Sequence, residues 1–400
     1  MDIRTSIRPS VAEVDMAALR RNLERVRATV GAGVAVFGVV KADAYGHGAV
    51  AVSQAIGPLC DALAVSLVEE GLELRAAGLT CPIIVLSAYY GGRHSEVLEA
   101  GLTPVVYDAA DIERFGLAPA RRAPRGVRSA PGASLVGAPS EVHTDVHVKI
   151  ETGMNRLGVR AVDLPRVLAA AVAFPHLRIQ GLCTHFSSAD VADEGATREQ
   201  LRRFAEVLAA AANAGVTPTI VHAANSAAAL RFPAARFGAV RPGLALYGAM
   251  PSEVVARPDL EPVLSLRTKV MALHEVQTGE GVSYGEKWRA PRPSRVATLP
   301  LGYADGYPRH VRGAEAIIRG RRVSVAGAVC MDMMMVDVTD VPGAQVGDRV
   351  TLIGRDGDEA ITADDLGRWA GTVNYEILCG ISKRVPRVYV DDSATKSELP

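Results

Sequence analysis

The feature that most constrains the fold is an alternation of short apolar runs with longer segments of helical period over the first 250 residues. The runs are rich in Val and Ile and have the length of strands, whereas the segments between them have helical apolar spacing. Eight runs are predicted as strands: residues 34–40, 62–66, 83–86, 103–107, 146–150, 179–183, 219–221 and 243–246. The helices are predicted over residues 16–30, 48–57, 67–77, 164–173, 198–214 and 226–230. This count fits a (β/α)8 barrel, although an open doubly wound sheet gives the same alternation.

The sequence pattern changes after Met250, where short strand-like runs are separated by turns rich in Gly, Pro and Asp. Strands are predicted at residues 265–272, 294–298, 316–318, 322–326, 334–338 and 349–353, with one short helix at 363–370. This pattern predicts a second, mainly antiparallel β domain. We therefore expect an α/β chain with a barrel over residues 10–250 and a β domain over residues 251–391, with residues 1–9 as candidates to pack against the latter. The segment 118–141 is expected to be the least ordered.

Composition and charge exclude several classes of protein. The 44 Lys and Arg residues balance 44 Asp and Glu residues, so the basic excess of a nucleic-acid-binding protein is missing. The basic cluster Arg121, Arg122, Arg125 and Arg128 lies among Pro, Gly and Ala and is interpreted as a solvated loop. No segment approaches the ~20 uncharged apolar residues of a membrane span.

The targeting and cysteine signals favour a cytoplasmic enzyme. The start of the chain lacks the apolar core of a signal peptide. The five cysteines are scattered and no pair has metal-ligand spacing. His47, His185 and His222 do not extend into a full ligand set, so no metal site is expected.

Reactive or polar residues stand at the ends of several predicted strands, where the functional residues of a barrel lie. They are Lys41 after the first strand, Lys149 near the end of the fifth, His185 after the sixth, His222, Asn225 and Ser226 after the seventh, and Arg241 and Gly243 at the start of the eighth. A buried lysine at a strand end has a lowered amine pKa, as a Schiff-base nucleophile requires.

Each of these signals also has a plain structural explanation. An isolated lysine more often extends to the surface, Asn225 and Ser226 resemble a helix N-cap, and Gly243 beside a proline is ordinary in a turn. In the second domain, Tyr284 is interpretable as a packed edge residue, and Asp332, if buried, needs backbone amides or a cation. Only the coincidence of polar residues at successive strand ends favours a functional site.

At these residues the chain resembles the alanine racemases, pyridoxal-phosphate (PLP) enzymes of fold type III. The resemblance extends from about Arg8 to Val390 and is carried by nine strings in the family's order. They are VVKADAYGHG (39–48), ETGMNRLG (151–158), THFSSAD (184–190), HAANSAAAL (222–230), VRPGLALYG (240–248), GVSYG (281–285), PLGYADGYPR (300–309), GAVCMDM (327–333) and TVNYEILCGISKRVPR (372–387).

The resemblance implies a role for each matching residue. Lys41 would bind the cofactor covalently, and Arg241, supported by His222, would donate to the pyridine nitrogen. His185 and Asn225 would lie near the cofactor. Its phosphate would be held by a set of hydroxyl and backbone groups at Tyr45, Ser226, Gly243, Leu244 and Tyr375.

The remaining implied roles concern the substrate and a partner subunit. Arg156 would contact the substrate carboxylate, and Lys149, often carbamylated in the family, would orient Arg156. Met331 would bind the carboxylate through its backbone, with Asp332 in support, and Tyr303 would line the entrance. Tyr284 and Met331 would reach the other subunit of a head-to-tail homodimer.

The implied reaction is racemisation of alanine, which would supply D-alanine for peptidoglycan. Lys41 and Tyr284 would act as bases on opposite faces of the substrate, so one removes the α-proton while the other returns one. A tyrosine has an ordinary pKa near ~10, so Tyr284 needs nearby positive charge to act at neutral pH. An arginine at the pyridine nitrogen would not protonate it, which should suppress side reactions.

Two departures and three alternatives remain at this point. Glu151 stands where the family generally has Asp, and Asn155 where Gly is common, which leaves the placement of Arg156 open. A racemase for serine or for a broader set of amino acids is the main alternative, because a methyl or hydroxyl group changes affinity by only ~1–3 kcal/mol. A fold-type III decarboxylase lacks support in the carboxy-terminal motifs, and a non-catalytic PLP carrier would lack the second domain.

Overall fold

The computed structural model describes residues 7–87, 89–118, 143–250, 252–255 and 259–391. Its first half is a closed barrel of eight parallel strands, β2 to β9. They are β2 Ala35–Val39, β3 Ala62–Val65, β4 Ile83–Val85, β5 Thr103–Val106, β6 Thr144–Lys149, β7 Leu177–Cys183, β8 Ile220–His222 and β9 Ala239–Val240. The ring closes where Ala35 of β2 pairs with Ala239 of β9. The predicted (β/α)8 barrel is confirmed, and the open sheet is excluded.

Helices between the strands cover the outside of the barrel. They are α1 Met16–Val30, α2 Ala49–Ile56, α3 Val68–Ala76, α4 His94–Glu99, α5 Ala109–Leu117, α6 Leu164–Val172, α7 Gly195–Asn213 and α8 Ser226–Arg231. In α1 the Asp15 side chain accepts from the amide of Ala18 and caps the first turn. Its apolar residues Leu19, Leu23 and Val26 recur at helical spacing and are buried, so burial of one face stabilises the helix.

The second half consists of mainly antiparallel sheets joined to the first by the N-terminal strand. Strand β1 Val11–Asp15 pairs antiparallel with β10 Leu264–Lys269 and parallel with β20 Arg387–Val390. The other strands are β11 Ala272–Val276, β12 Gly281–Val282, β13 Trp288–Arg289, β14 Ser294–Leu299, β15 Glu315–Ile318, β16 Arg321–Ser324, β17 Met334–Asp337, β18 Arg349–Asp356 and β19 Glu359–Ile361. Two helices follow, α9 Ala363–Ala370 and α10 Asn374–Gly380. The mainly antiparallel second part is confirmed.

The eighth predicted strand was placed wrongly. Residues 243–246 do not form a strand, because a 3-10 helix occupies Leu244–Tyr247 and the last strand is the two-residue β9. Both regions are buried and apolar, and a short apolar run does not distinguish a strand from a buried helical turn. Arg241 and Gly243 therefore follow the eighth strand instead of opening it, which puts them at the carboxyl end of the barrel with the other polar residues.

Three further outcomes concern segments outside the barrel strands. Helices α4, α5 and α10 were not predicted, whereas α9 has the predicted bounds. Two predictions fall on a segment that is not described: the solvated arginine cluster from Arg121 to Arg128 and the disorder of residues 118–141. Residues 119–142 lie outside the described residues. No helix in the described part of the chain is long and apolar enough to cross a membrane.

Candidate active site

The carboxyl ends of the barrel strands enclose a cavity lined by five of the predicted site residues. It is called the Lys41 cavity here, and its lining consists of Lys41, Ser66, Leu86, Ser87, Lys149, Arg156, Cys183, Thr184, His185 and Arg241. Four of these side chains are cationic, and none carries a carboxylate. Such a surface favours an anionic ligand, because uncompensated positive charges repel one another where water is partly excluded.

Lys41 stands one residue beyond the end of β2, after Val40, and begins an unusual backbone segment. Residues 42–45 have φ angles of 52–54°, a left-handed turn. Each non-glycine residue in this conformation costs about 1–2 kcal/mol, so neighbouring groups must hold it. The carboxylate of Glu70 accepts from the Ala42 amide at 2.6 Å, and the Ala44 amide donates to the carbonyl of Val40 at 2.9 Å. Strain of this kind is concentrated at functional sites.

The Lys41 amine lies in surroundings that disfavour its charged form. Burial lowers its pKa, and the positive charges of Arg156 and Arg241 lower it further, while Glu70 acts in the opposite direction. A lowered pKa increases the fraction of neutral amine at neutral pH, and the neutral amine is the nucleophile and the base.

Lys149 and Arg156 lie at the same mouth of the barrel. Lys149 ends β6 with only 7% of the residue exposed, and burial, followed by nearby cationic groups, lowers its pKa. Arg156 follows a turn that Glu151 holds by accepting from the Arg156 amide at 3.4 Å. Asn155 in that turn has φ 53°, a conformation that Gly adopts freely and Asn tolerates. Both departures from the family pattern are therefore accommodated locally.

Arg241 is buried, and among the described residues it has no acidic partner. Its Nη2 donates to the carbonyls of Thr184 (2.8 Å) and Ala223 (2.9 Å). Its Nη1 lies 2.7 Å from Nδ1 of His222, and Nη2 lies 3.3 Å from Nδ1 of His185. The pKa of each histidine is well below its usual value, first because of burial and then because of Arg241. The two rings are thus neutral and accept from the guanidinium.

The residues assigned to a cofactor phosphate are also brought together. The Ser226 hydroxyl accepts from the amides of Gly243 (3.0 Å) and Ala245 (3.3 Å). A Cβ on Gly243 would lie 2.3 Å from the Tyr45 hydroxyl, so only glycine fits beside that phenol. The rings of Tyr45 and Tyr375 are 6.2 Å apart. Leu244 begins a 3-10 helix, whose first amides have no acceptors within the helix.

The side chain of Asn225 has the plain structural role considered above. Its carbonyl oxygen accepts from the Ala228 amide at 3.0 Å and caps α8. The cap fixes the start of the helix that carries Ser226, so Asn225 supports the position of that hydroxyl.

Tyr284, Met331 and Tyr303 do not line the Lys41 cavity of their own chain. Tyr284 is 70% exposed and Met331 53% exposed, on adjoining loops of the second half. The Ala304 amide donates to the carbonyl of Met331 at 3.0 Å, which ties the Tyr303 loop to the Met331 loop. Asp332 is exposed, so the condition under which it was expected to need a partner is not met; it nevertheless pairs with Arg384 at 2.7 Å.

Two residues behind Arg241, His147 and Gln180, were not predicted as part of the site. His147 lies against His222, and Gln180 lies against His147, all without exposure to solvent. His147 stands two residues before Lys149 on β6, so both share one face of the strand. This spacing was the available signal. Among the described residues, no group of three His, Cys, Asp or Glu side chains could hold a metal ion.

Two family models match the chain. The N-terminal domain of alanine racemase matches residues 14–251, and the C-terminal domain of alanine racemase matches residues 263–389. Among curated relatives, an alanine racemase from Sorangium cellulosum is 44% identical over 395 residues, covering 96% of this chain and 99% of the relative. One from Geobacter sulfurreducens is 40% identical, covering 96% and 98%.

Solved structures give the same result. The alanine racemase from Streptomyces coelicolor A3(2) matches with a TM-score of 0.87 and 36% identity, covering 98% of this chain and all (100%) of that structure. The alanine racemase from Bacillus anthracis with bound L-Ala-P matches with a TM-score of 0.85 and 34% identity, covering 97% and 96%. The likeness therefore extends over both halves of the fold.

Proposed function

The chain belongs to the alanine racemase family, and from that premise we propose that it interconverts L- and D-alanine with pyridoxal phosphate bound at Lys41. Lys41 acts as a base on one face of the substrate and Tyr284 acts on the other. The observation that carries this proposal is the Lys41 cavity, in which a half-buried amine lies among cationic side chains and no carboxylate.

The donor set of the cavity fits the cofactor. An amine that binds an aldehyde, and cations that compensate for phenolate and carboxylate charges, are the groups that this end of such a ligand requires. Among the described residues, Nε of Arg241 donates to no acceptor, which suits a pyridine nitrogen. When bound, pyridoxal phosphate supplies an electron-withdrawing ring that stabilises the charge left by removal of the α-proton.

The phosphate would be held at the other end of the site by Tyr45, Tyr375, Ser226 and the backbone at Gly243 and Leu244. Burial raises the pKa of Tyr375 to about 12 and that of Tyr45 further, so both phenols remain protonated donors at neutral pH. The missing side chain at Gly243 keeps the space beside the Tyr45 hydroxyl open. Neutral donors of this kind bind an anion without a buried countercharge.

Arg241 would bind the pyridine nitrogen without giving up a proton. Burial lowers its pKa, yet the ordinary value is so high that the guanidinium stays charged. Its carbonyl and imidazole partners fix its plane. Arg241 therefore acts as an oriented donor, which limits the electron withdrawal and favours return of the proton over side reactions. His185 adds a neutral imidazole beside it.

Lys149 is proposed to be carbamylated. Its lowered pKa provides the neutral amine that reacts with carbon dioxide, forming an N–C bond and releasing one proton. The product is an anion at a buried position near Arg156 and Arg241, whose charges already lower the Lys149 pKa. A carbamate there would orient Arg156, whose guanidinium forms no hydrogen bond with the described residues, toward the substrate carboxylate.

The second base would come from a partner subunit in a homodimer. Tyr284, Met331 and Tyr303 lie outside the Lys41 cavity and are exposed in the single chain. Exposed aromatic and methionine side chains of this size favour burial in an interface. A twofold arrangement would place the Tyr284 face of each chain over the cavity of the other. The Asp332–Arg384 pair would hold the Met331 loop in place.

The biological role included in the proposal is the cytoplasmic supply of D-alanine for peptidoglycan. To test the function, the PLP-loaded protein is given L-alanine, and D-alanine is measured beside Lys41→Ala and the control Lys269→Ala, a lysine of the second half. A panel with serine and lysine tests substrate breadth.

Conversion of alanine that is lost in Lys41→Ala and kept in Lys269→Ala supports the proposal. A higher kcat/KM for serine or lysine than for alanine would change the assigned substrate. Bound cofactor without conversion of any amino acid would overturn the proposed function. In deuterium oxide, Tyr284→Phe should keep α-proton exchange for one enantiomer and lose it for the other, because only one face retains its base. Equal loss for both enantiomers would contradict the two-base scheme.

A further inference from the structure

A line of three hydrogen bonds connects Arg241 with the interior of the barrel. Nη1 of Arg241 lies 2.7 Å from Nδ1 of His222, Nε2 of His222 lies 2.8 Å from Nδ1 of His147, and Nε2 of His147 lies 3.1 Å from Oε1 of Gln180. His222, His147 and Gln180 each have 0% exposure. No group along the line is a carboxylate. We propose that His147 and Gln180 are positioning residues that hold His222 in the one tautomer that accepts from Arg241.

The direction of each hydrogen bond follows from the arginine. A guanidinium only donates, so Nδ1 of His222 must accept and its proton must lie on Nε2. That proton is donated to Nδ1 of His147, which places the proton of His147 on Nε2. Nε2 then donates to Oε1 of Gln180, an oxygen that only accepts. Gln180 lies at the opposite end of the line from Arg241. It therefore favours the same tautomers of His147 and His222 that Arg241 favours.

Both rings are neutral, as this directed line requires. Burial lowers the pKa of His147 to about 4, against opposing effects of Gln180 and Asp145. The pKa of His222 is lowered by burial, by Arg241 and by His147. An imidazolium at either position would donate from both ring nitrogens. One of these N–H groups would then face the N–H of a neighbouring group, with no acceptor between them.

The backbone is shaped to bring Gln180 to His147. Val146 of β6 pairs with Ile179 of β7, but the next residue, His147, pairs with Gly181, so Gln180 is the extra residue of a β-bulge. Bulges redirect side chains and occur next to active sites. A Cβ on Gly181 would lie 2.5 Å from Cγ of His147, so the glycine makes room for the ring. The Thr219 hydroxyl donates to the Gln180 carbonyl at 3.1 Å, a contact to the backbone of the bulge and not to its side chain.

The side-chain amide of Gln180 lowers the stability of the folded protein. Its Nε2 is buried and has no hydrogen-bond partner among the described residues, and such a group costs about 1–3 kcal/mol. An apolar side chain of the same length would avoid this cost, but it would leave the Nε2–H of His147 without an acceptor. His147 would then be free to exchange tautomers, and His222 with it. The observed residue therefore favours a role in orientation.

This inference rests on the proposed function, because it assigns the orientation of Arg241 to the racemase site. The test compares Gln180→Met, which keeps the length of the side chain, with the control Thr219→Val, which removes only the contact to the Gln180 backbone. Histidine tautomers are measured by long-range ¹H–¹⁵N NMR on cofactor-free protein, and kcat and KM for alanine on the loaded enzyme. Thermal unfolding is recorded for each variant.

The parent protein is expected to show His222 and His147 protonated only on Nε2, and Gln180→Met is expected to show mixed tautomers. The value of kcat should fall about tenfold in Gln180→Met, KM should change less than about twofold, and Tm should stay equal or rise. Thr219→Val should keep the tautomers and kcat. Unchanged tautomers in Gln180→Met, or a loss of kcat that only follows a loss of Tm in both variants, would overturn the inference.

A second variant covers a failure of Gln180→Met to fold. In Gln180→Glu, the carboxylate favours protonation of His147, which then carries a proton on both ring nitrogens. Nε2 of His222 must now accept from Nδ1–H of His147, so the proton of His222 moves from Nε2 to Nδ1. The NMR spectrum should show this change, and its absence would also overturn the inference. If the parent protein fails to racemise alanine, the proposed function fails, while the tautomer measurements still decide the hydrogen-bond line.

Discussion

The guanidinium of Arg241 and the ring of His222 meet at 2.7 Å inside the barrel, and within the described part of the chain neither forms a hydrogen bond to a carboxylate. A buried arginine usually pairs with an acidic group, because an uncompensated charge is costly to bury. Here neutral acceptors hold it instead. The positive charge is therefore left for an anionic ligand in the Lys41 cavity, and the position of the guanidinium depends on His222.

Replacing His222 with leucine should lower kcat/KM for alanine about 10- to 100-fold. The substitution removes an acceptor for a charged donor, and such a hydrogen bond contributes about 1.5–3 kcal/mol. The measurement is steady-state racemisation beside His310→Leu, which changes an exposed histidine of the second half. Equal rates in the two variants would show that the remaining carbonyl partners suffice to orient Arg241.

Arg156→Gln should raise the pKa of Lys41. The charge of Arg156 is the second cause, after burial, of the lowered value, so its removal moves the pKa back toward that of an ordinary lysine. In cofactor-free protein, the pH at which Lys41 reacts with an amine reagent, followed by mass spectrometry, should move upward. Arg160→Gln is the control, because that guanidinium pairs with Asp163. A midpoint that stays in place or moves downward contradicts the electrostatic explanation.

The free energy of unfolding should decrease as the pH falls from about 6.5 toward 4. His147 has a folded-state pKa of about 4, whereas a histidine in an unfolded chain titrates near ~6.5. In this window the unfolded state binds a proton that the folded state does not, so acid favours unfolding, and above about pH 6.5 this penalty is absent. The loss from this one residue amounts to about 3 kcal/mol at most.

His147→Gln tests that assignment. Denaturant unfolding at several pH values should give a shallower pH dependence by about one proton, because the titrating group has been removed. The remaining pH dependence should come from three other histidines whose pKa values are lowered by burial: His222, His185 and His47. A slope equal to that of the parent protein would mean that His147 titrates alike in the folded and unfolded states, so that its pKa is not lowered by folding.

Gly243→Ala should weaken cofactor binding by about 5- to 100-fold. The new methyl group would lie 2.3 Å from the Tyr45 hydroxyl, and overpacking of this kind costs about 1–3 kcal/mol. Titration of cofactor-free protein with pyridoxal phosphate, followed by absorbance, gives the affinity. Gly33→Ala is the matched control, since a Cβ there meets nothing within 4 Å. Comparable affinities in both variants would remove Gly243 from the proposed phosphate site.

Mixing two inactive variants tests the shared site. If Tyr284 serves the partner's cavity, a heterodimer of Lys41→Ala and Tyr284→Phe has one intact site and one doubly altered site. After joint refolding at equal amounts, random pairing should restore about a quarter of the parent activity. Each variant refolded with itself is the control. No recovery, in a mixture shown to contain heterodimers, would place both bases within one chain.

Much of the fold and the site could be predicted along the chain. Apolar runs of strand length indicated seven of the eight barrel strands, and Lys41, Lys149, His185 and His222 were recognised at or near strand ends. The eighth strand was not, because β9 has only two residues and the apolar 3-10 helix at Leu244–Tyr247 has the composition of a buried strand. The left-handed turn at residues 42–45 was also missed, since Ala and Tyr give no local signal for positive φ and a single Asp gives only a weak one.

What the sequence by itself determined is the alternation of elements and the type of reactive group at each strand end, because both depend on local residue order and hydrophobic period. Only the tertiary structure decided that Arg241 lacks a carboxylate partner, that Gln180 lies against His147 across a bulge, and that Tyr284 is outside the cavity of its own chain. Gln180 and His147 are 33 positions apart in the chain, and Arg241 and His222 are 19 positions apart. These relationships depend on barrel closure and strand register, which no local pattern specifies.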